Sequence, residues 1–371
     1  MKSFTFLIVF PALWASLSAS ALLPSSADSS TLKLLHVMFR HGNRNPDEDS
    51  IIPNSTYSDE SYYPEGFGQL TNAGKLTEYT IGLLLRARYN KFFTDTWNVN
   101  YLEARSTNVN RTKMSLELLL AGLYPPKKSQ VWSDLPWQPI PFNYVPTAED
   151  KETLPWAACA TNLNKLLSEI TGSPEIVAYG ERYSELLEIL TEKSGSTATL
   201  LSPYSYYFGF ATQEELGYTL DSWVSSIYPE PIHSAAVDYY YYYTNNTAIR
   251  KLAAGYLLKK ILADTKSKID GTISPSSRKA FLYSAHELNS ASMLLSLNAY
   301  KITEVPPYGA HVIFEVHEIL GIWGIKLFYQ NYQSYDPIPV KINGCGYFCP
   351  YEEFYSLVEE ILPESDDECF S

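Results

Sequence analysis

A largely apolar run at residues 32–39 is the first strong pattern along the chain, and it is typical of a buried strand. It leads directly into Arg40-His-Gly-Asn-Arg-Asn-Pro46, after which the chain turns polar. Apolar positions at helical spacing follow Thr71, which has the character of an N-cap, and continue to about Phe93. The pattern predicts a strand, a turn, a surface loop and a helix, in that order.

A second extended segment ends near Arg105, and we predict a helix at 107–120 because Gly122 and Pro125-Pro126 stop the helical pattern. From about residue 151 to 267 the pattern is helical, and we see no confident strand. The predicted helices there are 184–193, 212–227 and 248–266. A run of five tyrosines, 239–243, lies inside this segment, where it either packs in the core, which we favour, or forms an aromatic wall of a pocket.

Strand character returns at 279–285, and this run leads into His286-Glu287. A helix at 288–297 should follow, and Gly321-Ile-Trp323 should join antiparallel strands at 311–317 and 324–329. Residues 351–362 predict a last amphipathic helix. Strands that alternate with helices imply an α/β fold. We expect a central mixed, mostly parallel sheet flanked by helices, with a smaller all-helical insertion domain.

The predicted domain organisation follows these boundaries. Residues 31–145 would form the first part of the α/β core, 146–267 a helical cap insertion, and 268–371 the second part of the core. Ligands of such sheets bind beyond the carboxyl ends of the strands. Both histidine segments lie at that end, so they can meet in space.

The N-terminus has a separate character. Lys2 precedes an almost wholly apolar run, 4–17, and Ala19-Ser-Ala21 resembles a cleavage site. We interpret residues 1–21 as a secretory signal peptide. A single membrane anchor is the less favoured interpretation, because the run is shorter than the ~20 residues that a span needs. We therefore expect a secreted protein without a membrane anchor, with a lysosomal location as the alternative.

The charge bears on the partner of the protein, whereas the cysteines and the glycosylation sequons agree with secretion. The net charge of −13 disfavours nucleic acid as a partner, so an anionic substrate would need a local cluster of cations. Four cysteines in a secreted chain suggest two disulfides, for which three pairings exist. The close spacing of Cys345 and Cys349 favours a local loop, which would leave Cys159 to pair with Cys369. Glycosylation sequons occur at Asn54, Asn110 and Asn245, although the neighbours of Asn110 are predicted to be helical.

Arg40, His41 and Arg44 are the densest cluster of candidate chemistry. In a continuing strand Arg40 and His41 would point to opposite faces, but Gly42 permits a sharp turn that directs both into one cavity. Two guanidiniums beside an imidazole repel one another, so their burial is costly unless an anion lies between them. Phosphate suits this arrangement, because the guanidinium fork matches two of its oxygens.

His41 could then attack phosphorus as a neutral imidazole and form a phosphohistidine, since neighbouring positive charges lower its pKa. Glu287 is the candidate proton donor to the leaving oxygen, because a carboxylic acid beside a bound phosphate tends to hold its proton. His286 and Arg105 could complete the phosphate site. Taken alone, a His-Glu pair after a strand is more often structural, and a lone arginine is more often a salt-bridge partner.

The full Arg40-to-Pro46 motif resembles the active-site signature of the histidine acid phosphatases. The likeness spans nearly the whole mature chain, and it is nearest to the prostatic, lysosomal and insect venom types. Further matching segments are Pro64-Glu-Gly-Phe-Gly-Gln-Leu-Thr71, Arg105-Ser-Thr-Asn-Val-Asn-Arg111, Ala121-Gly-Leu-Tyr-Pro-Pro126, Trp137-Gln-Pro-Ile-Pro141, Pro306-Pro-Tyr-Gly309, Glu315 and the Cys345/Cys349 pair.

The resemblance implies that His41 accepts the phosphoryl group and that Arg40, Arg44, Arg105 and His286 bind phosphate. The family usually has His-Asp where this chain has His286-Glu287, which leaves the chemistry open but puts rate and substrate preference in question. It also implies small-molecule or protein phosphate monoesters as partners, and a homodimer. No cofactor is expected, and no metal-ligand set is apparent. The remaining histidines, His36, His233, His311 and His317, are interpreted as structural.

Two alternatives remain at this stage. A phytase-like phosphatase would act on inositol phosphates, although it would want extra basic residues that the acidic balance disfavours. A non-catalytic secreted or venom protein would keep phosphate affinity through its arginines and lack turnover, an idea that only Glu287 motivates.

Overall fold

The computed structural model of the protein describes residues 27–370, so the predicted signal peptide lies outside the described residues. Within them, an eight-stranded mixed sheet is flanked by helices, which confirms the α/β class. No helix in this part of the chain combines the length and the apolar character that crossing a membrane requires.

The strands are β1 (Leu32–Arg40), β2 (Leu102–Ser106), β3 (Asn143–Tyr144), β4 (Ala280–Ala285), β5 (His311–Ile319), β6 (Ile322–Gln330), β7 (Ile338–Val340) and β8 (Cys349–Pro350). Their spatial order is β3-β2-β4-β1-β5-β6-β7, and β8 pairs with β6. The first four strands of this order are parallel, whereas β5 to β8 extend the sheet by antiparallel pairs.

The helices are α1 (Asn72–Arg88), α2 (Asn110–Leu123), α3 (Pro155–Ala158), α4 (Ala160–Glu169), α5 (Pro174–Arg182), α6 (Ser184–Ser194), α7 (Ser202–Glu215), α8 (Ile232–Tyr242), α9 (Thr247–Arg250), α10 (Tyr256–Ile269), α11 (Glu287–Ser296), α12 (Tyr351–Val358) and α13 (Asp367–Phe370). A π-helical turn, Lys251–Gly255, joins α9 to α10. The N-cap expected at Thr71 is confirmed, because its hydroxyl accepts a hydrogen bond from the Gly74 backbone N–H at 3.2 Å.

Strand β1 is largely apolar because both of its faces are buried. Leu35, Val37 and Phe39 pack with α1 and α2 on one face, whereas Leu34 and Met38 belong to the cluster on the other face. That second cluster includes the buried residues of α10, α11 and α12. A central strand of a sheet with helices on both faces has this composition.

The register places the ends of the parallel strands side by side. Arg40 on β1 is level with Ala285 on β4, and Ser106 on β2 is level with Ser284. The pairing continues one residue past β1, where the His41 backbone N–H donates to the Ala285 carbonyl at 3.1 Å. Segments that are far apart in sequence therefore leave the sheet at one edge.

The predicted insertion, residues 146–267, contains α3 to α9 and most of α10. Buried residues of α5 to α8 form a hydrophobic cluster of their own, which also takes in Ile52. By contrast, Leu258 and Ile261 of α10 pack in the cluster that covers the sheet. The division into 31–145, 146–267 and 268–371 stays a prediction from the sequence.

Two local predictions are wrong. The helix expected at 212–227 lies earlier in the chain, from Ser202 to Glu215. It ends there because Gly217 adopts the left-handed conformation that commonly ends helices. The turn between β5 and β6 consists of Leu320 and Gly321, which both have positive φ, as a two-residue hairpin turn of type I′ requires. Ile322 and Trp323 already belong to β6.

The four cysteines form two disulfides, Cys159–Cys369 and Cys345–Cys349. The first links residues 210 positions apart and fixes α13 beside the start of α4. Closing so long a loop contributes roughly 5 kcal/mol in the chain-entropy account. Of the three sequon residues, Asn54 and Asn110 are exposed and Asn245 is half-buried, and glycosylation at each stays a prediction.

His36 on β1 is fully buried, and its ring stacks on Phe281 with ring centroids 5.0 Å apart. Its Nδ1 lies 3.3 Å from the Tyr283 hydroxyl. Burial lowers the pKa of His36 to about 3, with a smaller contribution from Lys260. In the unfolded chain the residue takes up a proton near its ordinary value, so the unfolded state binds more protons between that value and about pH 3. Stability is therefore lost as the pH falls through this window.

We predict that His36→Phe flattens this dependence. Urea denaturation at pH 7.5 and 4.5 should give a difference in unfolding free energy about 2–3 kcal/mol smaller than in wild type. Tyr283→Phe is the control, since it removes the same hydrogen bond but keeps the titrating ring. If His36→Phe and wild type lose equal stability on acidification, His36 does not impose the expected proton linkage.

Candidate active site

Three chain segments converge beyond the carboxyl ends of the parallel strands. The turn after β1 carries His41 and Arg44, the segment after β2 carries Arg111 at the start of α2, and β4 is followed by His286 and Glu287. All five residues line one cavity of about 410 Å³. The sheet topology alone thus brings together residues that are up to about 240 positions apart in the sequence.

The turn after His41 requires glycine at two contacting positions. A Cβ on Gly42 would lie 2.4 Å from the Gly74 carbonyl oxygen, and one on Gly74 would lie 2.0 Å from the Asn43 carbonyl oxygen. Either side chain would push the turn away from the first residues of α1. The motif glycine therefore seats the catalytic candidates against that helix.

His41 is buried, and its Nδ1 lies 2.9 Å from the Gly42 carbonyl oxygen. Because a carbonyl oxygen can only accept, Nδ1 carries the hydrogen, and Nε2 keeps a lone pair while the ring is neutral. Burial lowers the pKa of His41 well below its ordinary value, and the positive charges of Arg111 and Arg40 lower it further. The ring is thus held neutral, with one nitrogen available as a nucleophile.

The arginines are held by fixed partners on their Nη atoms. Arg40 Nη1 donates to the Pro306 carbonyl at 2.6 Å, and Arg44 Nη1 donates to the Asn45 carbonyl at 2.9 Å. Asp47 bridges the other two cations: its carboxylate lies 3.0 Å from Arg44 Nη2 and 3.1 Å from Arg111 Nη1. These contacts fix the guanidiniums in place.

Each of these three guanidiniums keeps a buried donor. The Nε atoms of Arg40, Arg44 and Arg111 have no hydrogen-bond partner within residues 27–370. A buried donor without a partner is costly, and one on a cation more so. An anion with several oxygens would satisfy all three donors at once.

The expectation for Arg105 is corrected by the structure. Its guanidinium lies 2.5 Å from the buried carboxylate of Asp150 and also pairs with Glu152, and Arg105 does not line the cavity. Arg111, six residues later, takes the place expected for it. The sequence offered one signal, because both arginines lie in the segment from Arg105 to Arg111 that matches the family, but the sequence analysis selected only Arg105.

His286 faces His41 across the cavity, with ring centroids 5.4 Å apart. Its Nε2 lies 3.2 Å from the Thr107 hydroxyl, and its ring packs edge-on against Trp156. Burial lowers the pKa of His286 well below its ordinary value, and the charges of Arg111, Arg44 and Arg40 act in the same direction. This second imidazole is therefore also neutral.

Glu287 is the first residue of α11 and is almost fully buried. Its Oε1 accepts a hydrogen bond from the Tyr204 hydroxyl, and its Oε2 lies 3.6 Å from Arg40 Nε. The carboxyl group is thus bracketed by a cation of the anion site and by a tyrosine from the helical region. Sequence reasoning did not find Tyr204, which is 83 positions away from Glu287.

Away from the arginines, the cavity wall is mainly apolar and aromatic. These lining residues are Leu154, Trp156, Leu163, Leu167, Leu201, Phe208, Tyr239, Tyr243 and Leu288. Both interpretations of the five-tyrosine run hold for different members, since Tyr239 and Tyr243 line the cavity whereas Tyr240 is fully buried.

Metal-ligand spacing occurs among the described residues at Cys345, Cys349 and Glu353. The two sulfurs form a disulfide, so they do not serve as thiolate ligands.

Buried cations beside a neutral imidazole, at the carboxyl ends of parallel strands, define an α/β protein with a site for an oxyanion. The sequence of residues 31–331 matches the family model of the histidine phosphatase superfamily (branch 2). The chain therefore belongs to this superfamily, which confirms the resemblance seen in the sequence.

Curated relatives cover most of the chain. Venom acid phosphatase Acph-1 of Apis mellifera is 35% identical over 342 residues, which are 91% of this chain and 87% of the relative. Prostatic acid phosphatase of Bos taurus is 31% identical, over 90% of this chain and 86% of the relative. Lysosomal acid phosphatase of Xenopus laevis is 29% identical, over 92% and 80%.

Solved structures share the fold at low sequence identity. Hafnia alvei phytase in complex with myo-inositol hexakis sulphate superposes with a TM-score of 0.68 at 16% identity, over 93% of this chain and 99% of that one. Multiple inositol polyphosphate phosphatase of Bifidobacterium longum gives 0.57 at 13% identity, over 94% and 96%. At these identities the likeness concerns the fold alone.

We predict that Arg111→Met weakens anion binding, whereas Arg105→Met lowers the stability of the fold. Losing one charged donor in the cavity should weaken the inhibition constant of inorganic phosphate about 10- to 100-fold in Arg111→Met. Arg105→Met should leave that constant nearly unchanged but lower the unfolding free energy by about 3 kcal/mol, since it strands buried Asp150. The reverse pattern would contradict the assignment of Arg111 to the site.

Proposed function

We propose that this protein is a secreted acid phosphatase that hydrolyses phosphate monoesters through a phosphohistidine at His41. One observation carries the proposal: His41 Nε2 is the free nitrogen of a buried neutral ring that is surrounded by three arginines with unpartnered Nε atoms. The relatives named acid phosphatases support the same reaction class.

In the first step, Arg40, Arg44 and Arg111 would hold the phosphate oxygens, with His286 on the opposite wall. The Nε2 lone pair of His41 would form a bond to phosphorus while the ester P–O bond breaks. Glu287, as the carboxylic acid, would give its proton to the departing oxygen. The alcohol leaves neutral, and the phosphoryl group stays on His41.

In the second step, water would attack the phosphohistidine and the P–N bond would break. The Glu287 carboxylate would take a proton from that water, which restores the acid, and the Nε2 lone pair would return to His41. Inorganic phosphate is the second product. The lowered pKa of His41 keeps the nucleophile unprotonated in mildly acidic solution, which suits an acid phosphatase.

Single-phosphate esters fit the cavity better than inositol polyphosphates. The cations that line it are Arg44 and Arg111, the two histidines are neutral, and the lining has no lysine. The acidic residues Asp47 and Asp49 lie beside them. Additional phosphates on one substrate would meet apolar or acidic wall. The apolar wall instead suits an aryl or alkyl remainder, on a small molecule or on a protein side chain.

Secretion belongs to the same proposal. The signal-like N-terminal pattern, the two disulfides and the venom and prostatic relatives all support an oxidising compartment. The lysosomal relatives keep a lysosomal location as the alternative.

We predict that His41→Ala abolishes turnover of p-nitrophenyl phosphate at pH 5 without added metal, by at least ~10³-fold in kcat/KM. The control is His233→Ala, on α8, whose ring pairs with Glu230 and Glu304 outside the cavity. It should keep wild-type activity. Inositol hexakisphosphate should be hydrolysed more slowly than the aryl ester.

Folded wild type that binds phosphate but shows no turnover would instead favour the non-catalytic alternative. A rate on inositol hexakisphosphate above that on the aryl ester would favour the phytase-like one.

A further inference from the structure

We propose that Tyr204, from the helical region, is a positioning residue that orients Glu287 and determines which of its oxygens carries the transferable proton. The inference rests on the proposed role of Glu287 as proton donor. It goes beyond that role because it assigns part of the chemical step to the helical region between β3 and β4.

The contact is specific at the level of atoms. The Tyr204 hydroxyl donates to Glu287 Oε1, whereas Oε2 makes only a 3.6 Å contact with Arg40 Nε, which is not a hydrogen bond. A glutamate side chain has three rotatable bonds, so its carboxyl group must be held if it is to meet a leaving oxygen. Tyr204 holds one oxygen and leaves the other available.

In this hydrogen bond the Tyr204 hydroxyl is the donor and Glu287 Oε1 is the acceptor. Burial, followed by the neighbouring Glu287 carboxylate, raises the pKa of Tyr204 well above its ordinary value, so the phenol keeps its proton. Because the phenol donates, Oε1 must accept, and the proton of the neutral acid then resides on Oε2. Once that proton has moved to the leaving oxygen, the same phenol stabilises the carboxylate.

The ring of Tyr204 is itself fixed in place. It packs against Tyr239 with centroids 4.8 Å apart and edge-on against Phe208 at 5.1 Å and Tyr240 at 5.8 Å. Helix α7 is in turn pressed against the segment after the His41 turn, since a Cβ on Gly209 would lie 1.9 Å from the Ser50 carbonyl oxygen. The hydroxyl therefore approaches Glu287 from a rigid support.

The neighbouring Tyr240 is a matched control. It is fully buried and its ring contacts Tyr204, yet its hydroxyl has no hydrogen-bond partner within residues 27–370. Tyr240→Phe removes a buried hydroxyl from the same cluster without touching the carboxyl group of Glu287. Any effect on packing alone should appear in both variants.

The test compares kcat/KM for two esters that differ in their need for a proton. p-Nitrophenolate leaves readily without one, whereas the alkoxide of glycerol 2-phosphate does not. Tyr204→Phe should lower kcat/KM about 10-fold on glycerol 2-phosphate and less than about 3-fold on p-nitrophenyl phosphate. Tyr240→Phe should keep the wild-type ratio of the two substrates, and the inhibition constant of inorganic phosphate should be unchanged in both variants. Equal losses on the two esters in Tyr204→Phe would overturn the proposal.

Glu287→Gln separates this proposal from the one on which it rests. Suppose that Glu287→Gln lowers kcat/KM more on glycerol 2-phosphate than on p-nitrophenyl phosphate, whereas Tyr204→Phe lowers both equally. The positioning role of Tyr204 is then wrong, and the role of Glu287 as proton donor stands. If Glu287→Gln lowers kcat/KM equally on the two esters, the proposed roles of both Glu287 and Tyr204 are wrong.

A double-mutant cycle with Glu287→Asp tests whether the effect of Tyr204→Phe passes through the carboxyl group of Glu287. The shorter side chain should lose the Tyr204 contact, so adding Tyr204→Phe to it should cost less than about 2-fold on glycerol 2-phosphate. A full additional 10-fold loss would contradict the proposal.

Discussion

The candidate site depends on one constraint: the fold holds several positive charges close together in a buried place, although they repel one another. Arg40, Arg44 and Arg111 crowd a neutral imidazole in a buried site, and Asp47 offsets only part of their repulsion. Everything that places them is rigid: parallel strand ends in register, a glycine turn seated on α1, and backbone carbonyls that take up the Nη hydrogens. The three Nε donors that remain unpartnered support our proposal of a small oxyanion as ligand. Burial lowers the pKa of His41, and the arginine charges lower it further.

The helical region between β3 and β4 does more than close the cavity. It supplies most of the apolar wall, including Tyr239 and Tyr243 from the five-tyrosine run. Through Phe208 it also places an aromatic face 5.3 Å from the Arg40 guanidinium and 5.9 Å from that of Arg44. Our proposal for Tyr204 extends this contribution to the proton donor. The cationic end and the apolar wall together support our proposal that the substrate carries one phosphate on an apolar or aromatic alcohol.

Strand β1 and the turn that carries His41 and Arg44 could be predicted from the sequence, because both depend on residues that are close together in the chain. Strand β1, which is buried on both faces, is visible in the sequence as a largely apolar run, and the motif glycine marks the turn after it. Arg105 and Arg111 could not be told apart, because the choice depends on where β2 ends and on Asp150, a partner 45 positions away. The contact between Tyr204 and Glu287 left no trace in local pattern, since it joins two helices through tertiary packing alone. The hairpin turn at Leu320 was missed because a leucine with positive φ is uncommon.

The central claim is a covalent bond between phosphorus and His41 Nε2, and trapping that intermediate tests it most directly. Wild type would be mixed with a ³²P-labelled aryl phosphate at pH 5 and quenched in alkali within milliseconds, where phosphohistidine survives. Peptide mapping should then find the label on the peptide that contains His41, stable to alkali and lost in acid. Label on another residue, or turnover without any trapped label in a quench fast enough to resolve the first step, would contradict the account.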